Sequence, residues 1–137
     1  MATRDQLREL AELRLREAET LFAAKLYDGC VYLCGYVVEA ALKARICTVL
    51  NVAEYPEEMK QAFWTHNFDH LRLLAGLKNE LALASGPVFD NWSLVTSWKP
   101  ENRYDPPGTS DWVKAQKVLE AVRSDPYGVF TWLRKRW

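Results

Sequence analysis

The densest group of side chains with chemistry to offer lies in Trp98-Lys-Pro-Glu-Asn-Arg-Tyr104, where Glu101, Arg103 and Tyr104 stand almost side by side. Arg presents a planar fork that grips a phosphate through two parallel hydrogen bonds, and Tyr can stack on a base or donate its hydroxyl. The plainer alternative is internal. Arg103 would then pair with Glu101 or Glu39 to pin the segment down, with Tyr104 packed underneath. Both histidines fall in Thr65-His-Asn-Phe-Asp-His70. His66 and Asp69 mark an expected helix start, where free amides favour anions and an imidazole can donate to phosphate or move a proton near neutral pH. Equally, His66 could bond neighbouring backbone while Asp69 complements the helix dipole.

Other spacings carry less. His66 and His70 are four apart, as two metal ligands on one helix face would be, but no third ligand accompanies them and a helix beginning at Asn67 leaves His66 outside it. Cys30 and Cys34 share that spacing within an apolar stretch, where thiols pack as small hydrophobes. No metal site is expected. Glu39 stands four residues before Lys43, the favoured order for a structural ion pair along one helix. The sequence contains neither a phosphate-cradling Gly-rich motif nor a Ser nucleophile elbow, and implies no cofactor. The run Arg134-Lys-Arg136 could touch phosphates or simply complement a helix end.

The elements that must position these residues read as helices throughout. Thr3-Arg-Asp-Gln6 fits a capping box, and Leu7, Leu10, Ala11, Ala18, Leu21 and Phe22 then recur at helical spacing, predicting an amphipathic helix to about Lys25. Asp28-Gly29 punctuates. A second helix to about Leu50 is apolar nearly all round, as expected of a central or interface helix. Pro56 could open a short turn carrying Phe63 and Trp64. Thr65 or Asn67 could cap a third helix with Leu71, Leu74, Ala75, Leu81 and Ala82 facing inward, ended by Gly86-Pro87. Val88, Trp92 and Val95 mark a short helix. Three prolines and a glycine in residues 99–108 predict a loop, the segment best placed to carry function. Helix resumes from about Ser110 to Arg123 and again after Asp125-Pro126, with Val129, Phe130, Leu133 and Trp137 on one face. The expectation is one all-α domain over 1–137, an up-and-down bundle of about five helices.

Composition narrows the function classes. Eighteen basic and eighteen acidic residues cancel, so phosphate binding would rest on a local patch rather than on overall charge. Three cysteines in one apolar segment, and a charged start, argue against a secreted disulfide scaffold. The longest uncharged run, Gly29 to Val38, has ten residues, too few to span a bilayer. A cytoplasmic protein is expected. Five of the six tryptophans fall from Trp92 onward, as gap-fillers between helices, as a stacking surface for bases, or as an oligomer interface.

Three segments carry a family resemblance. Tyr36-Val-Val-Glu-Ala-Ala-Leu-Lys-Ala-Arg45 resembles the second helix of HEPN domains, small prokaryotic helical-bundle proteins. Thr65-His-Asn-Phe-Asp-His-Leu-Arg-Leu-Leu-Ala-Gly-Leu77 is similar to the family's His-then-Asp, leucine-rich helix, and Trp98 to Tyr104 to its acidic-then-Arg-Tyr loop. The resemblance implies a homodimer in a toxin–antitoxin or defence setting. It also implies a nucleotide or RNA ligand at Arg103, Tyr104, His66 and Asp69, and a nucleotidyltransferase as possible partner. Catalytic members carry an Arg followed, after four to six residues, by a His. Here Met59, Lys60 and Gln61 hold that place before His66, and Phe63, Trp64 and Thr65 before His70. Lys lacks the planar fork of Arg. The resemblance therefore implies a non-catalytic member. The alternatives are a ribonuclease with a rearranged His66/Arg103 site and a pure oligomerisation module.

Overall fold

The computed structural model describes residues 2–58, 60–80, 82 and 85–137. These residues form α1 (Arg4–Ala23), α2 (Tyr27–Leu50), α3 (Phe68–Leu74), α4 (Pro87–Val95), α5 (Trp112–Arg123) and α6 (Val129–Arg134), with 3-10 turns at Gln61–Phe63 and Pro100–Tyr104. The described chain is all-helical, as the periodicity predicts, with six helices where about five were expected. No helix among the described residues is long and apolar enough to cross a membrane.

The capping box at Thr3 forms in full: Gln6 N–H donates to Thr3 Oγ1 at 3.1 Å and Thr3 N–H to Gln6 Oε1 at 2.9 Å. From there α1 buries Leu7, Ala11, Leu15 and Ala18 at helical spacing. The reversal into α2 comes earlier than Asp28-Gly29. Lys25 adopts the left-handed conformation (φ 62) and makes the turn itself. Gly29 lies inside α2, where an added Cβ would stand 3.1 Å from Leu21 Cδ1. Its hydrogen atom lets the two longest helices close on each other. The apolar-all-round α2 is the central helix: α1, α3, α5, α6 and the Pro100–Tyr104 turn all pack on it. Its three cysteines are buried free thiols.

Two expectations fail for local reasons. Asn67 caps α3 by accepting from His70 N–H at 2.9 Å, but the helix stops after Leu74 rather than running to Gly86. Gly76 takes a left-handed φ of 70, and Leu77 N–H closes back on Arg72 O at 3.0 Å, the ending that glycine permits. Leu71 and Ala75 are buried as expected, Ala82 falls beyond the helix, and Leu81 (like Met59) lies outside the described residues. Nor does Pro56 open a helical turn. Tyr55 N–H bonds Ala2 O at 2.9 Å, which holds this connection extended against the start of α1, and the turn forms later, at Gln61. Helix α4 buries Val88, Trp92 and Val95, and α6 buries Val129, Phe130 and Leu133, as their spacing predicts. Part of the proline-containing 99–108 segment is helical after all. Pro100 occupies the first position of its 3-10 turn, where a missing N–H costs nothing.

Candidate functional site

Trp98 organises the region that holds the candidate residues. The chain leaving α4 lays this indole across α2 at Gly35, where an added Cβ would fall 2.0 Å from the ring. Any side chain at position 35 would evict the tryptophan. Trp98 Nε1–H donates to Tyr32 O at 2.9 Å, Phe68 stacks nearly parallel to the ring (5.4 Å, 6°), and Tyr36 meets it edge-on at 4.8 Å. A clamped indole of this kind makes a rigid wall. Two clefts share it, together with Ser97.

The first cleft, of about 420 Å3, opens between α2, the Pro100–Tyr104 turn and the start of α5, and is lined by Asp28, Tyr32, Trp98, Arg103 and Lys114 among others. Arg103 donates to Pro100 O at 3.0 Å and lies 4.6 Å over the Tyr104 ring. The neighbouring hydroxyls of Tyr104 and Tyr32 push its pKa higher still. All of these partners are neutral. No described carboxylate forms an ion pair with Arg103, so neither Glu101 nor Glu39 serves as its anchor. The Tyr36 hydroxyl lies 3.1 Å from that of Tyr32, and burial together with this bond pushes its pKa up to about 12.

Across the same cleft, Asp28 accepts the N–H groups of Gly108 and Ser110, each at 2.7 Å. Those two bonds hold its carboxyl below the ordinary carboxylate range. They also tie the Pro106–Pro107 segment to α2. The charge of Asp28 is thus largely committed to backbone, whereas Arg103, which shares the cleft with Asp105, forms no ion pair among the described residues.

The second cleft, of about 410 Å3, is lined by Trp64, His66, Asp69, Trp98, Lys99 and Glu101 among others. Glu39, only 6% exposed on α2, hydrogen-bonds His66 Nδ1. The expected Glu39–Lys43 ion pair is therefore corrected. A buried carboxylate takes the strong donor that the chain ahead of α3 brings to it, and Lys43 instead lies 5.0 Å over the Tyr55 ring. His70, in contrast, bonds Ala62 O through Nε2 at 3.0 Å. Asp69 stands in the first turn of α3 and reaches Arg72 at 3.9 Å.

The five candidate ligand residues are therefore divided. His66, Asp69 and Glu101 line one cleft and Arg103 the other; Tyr104, 77% exposed, lies under the Arg103 guanidinium. A rearranged ribonuclease site needs His66 and Arg103 in one cleft, and the fold separates them. Sequence reasoning missed Gly35, Lys114 and the wall role of Trp98. A glycine in the middle of an apolar helix was the available signal for close approach. No protein-family model matches the chain, and no curated protein or solved structure is significantly similar to it.

Proposed function

We propose that this chain is a HEPN-like binding domain, non-catalytic towards nucleic acid, that holds the phosphate of a nucleotide or RNA in the first cleft. The observation that carries this reading is the guanidinium of Arg103, which has no ion-pair partner among the described residues and lines the cleft together with Lys114 and the Trp98 indole. A cation whose only partners are neutral retains its attraction for an anion, and an aromatic wall suits a base. The Asp28 clasp keeps the opposite rim in place before any ligand arrives. His66 and Asp69, lining the other cleft, fall outside this phosphate site.

The family-like segments extend the reading to a homodimer acting as partner or regulator in a toxin–antitoxin or defence system, alongside a nucleotidyltransferase. The groove lined by Leu13, Leu21 and Leu33 on α1 and α2 is the face proposed for the second copy. Arg16 and Glu17 line the same groove. Leu13→Glu should convert the dimer to monomer in light scattering. An unchanged mass would remove this face.

Binding is tested with an end-labelled single-stranded RNA and a labelled nucleotide, titrated by polarisation against wild type and Arg103→Ala. Intact probe bound by the wild type and at least about tenfold more weakly by the variant, the scale of one charge-assisted contact, is the expected result. Probe cut by the wild type alone would make the protein a ribonuclease.

A further inference from the structure

We infer that Glu39 and His66 form a proton-transfer dyad that activates water against a neutral carboxylic ester held in the second cleft. The inference stands apart from phosphate binding at Arg103. It starts from cost: among the described residues Glu39 is the one charged side chain that is buried. A carboxylate taken out of water is expensive unless it has a strong partner. This one comes from the central helix and meets an imidazole 27 positions away in sequence. Its bond fixes the tautomer. With the carboxylate accepting from Nδ1–H, the lone pair of the neutral ring is on Nε2.

His66 Nε2 has no partner among the described residues, and the side chain, 52% exposed, lines the cleft. A buried carboxylate that orients an imidazole whose other nitrogen faces a substrate space is the base-plus-orienter pair of acyl-transfer sites. The chain supplies its own contrast in His70, where Nε2 is occupied by the Ala62 carbonyl.

The walls select the substrate class. Trp64, 66% exposed, joins Trp98 to give aromatic surface. Asp69 and Glu101 set two carboxylates against the single ammonium of Lys99, which disfavours an anionic phosphodiester. A neutral ester with an aryl group meets both conditions. In the step, a water proton passes to Nε2 as the water oxygen attacks the carbonyl carbon. The bond from that carbon to the alcohol oxygen then breaks, and Nε2 returns the proton to the departing oxygen. One ester and one water give one acid and one alcohol. Glu39 faces the imidazolium and takes no part in the transfer; it is a positioning residue.

The test uses p-nitrophenyl butyrate as probe, followed by release of nitrophenolate. Wild type should hydrolyse it with saturation, and His66→Ala should lose about 10²–10⁴-fold in kcat, the usual contribution of a positioned base. Glu39→Gln should lower kcat with little change in KM. A second measurement needs no variant: diethyl pyrocarbonate, which acylates free imidazole nitrogens, is added to wild type and the modified histidine is located by mass spectrometry. His66 should be acylated faster than His70. A wild-type rate no higher than that of His66→Ala, or His66 acylated no faster than His70, would overturn the proposal.

Discussion

Glu39 and His66 set the sharpest expectation at the scale of single residues. His66→Ala leaves a buried carboxylate without its donor and should cost about 1–3 kcal/mol in urea denaturation. Adding Glu39→Leu to that variant should restore part of the loss, because an apolar side chain has no unmet hydrogen bond there. Equal stability of wild type and His66→Ala would show that the contact contributes nothing. Arg103→Lys keeps the charge but loses the fork, so it should bind phosphate ligands more weakly than wild type and more tightly than Arg103→Ala. At this scale the sequence was half legible. Residue type singled out His66 and Arg103, but spacing assigned Glu39 to Lys43. Rules built on neighbours four apart cannot register a partner in another segment of the chain.

Among the elements, the crossing of Trp98 over α2 is the most exposed to test. Gly35→Ala should cost at least about 1–3 kcal/mol, the scale of overpacking. It should also shift tryptophan fluorescence towards the wavelength of a solvated indole and weaken binding at the first cleft, whose wall it moves. Stability and emission unchanged from wild type would contradict the packing described. The Asp28 clasp is pH-dependent in a definite direction. Its carboxyl is lowered from the ordinary 3.8 by the amides of Gly108 and Ser110, so its stabilisation is present above that value and is lost as pH falls through the lower folded one. Asp28→Asn should therefore be less stable than wild type at neutral pH, with the gap closing in strong acid. A gap undiminished in strong acid would contradict this cause. The early end of α3 was written in Gly76, yet apolar residues beyond it continued the helical stripe and hid the stop. Leu77 is indeed buried, but after a left-handed turn rather than along the helix.

For the molecule as a whole, the all-helical class and the central position of α2 followed from periodicity, since a helix apolar on every side must be surrounded. How the shorter helices fold over it did not follow, because that depends on which side chains meet across long gaps. The Cys30 thiol beside it, and then burial, push the Cys34 thiol up and burial pushes that of Cys47 up; Cys30, lowered by its contact with Cys34, is itself fully buried. All three should resist a thiol reagent until denaturant unfolds the chain, and reaction at the native rate of a free thiol would contradict the core. The central functional claim, a phosphate ligand on Arg103 in the first cleft, is tested most directly by titrating the 15N-labelled protein with ATP. The signals of Trp98 Nε1–H and Arg103 Nε–H should move together and saturate while the Trp64 indole stays in place. No movement at either, or movement confined to Trp64 in the second cleft, would contradict the claim.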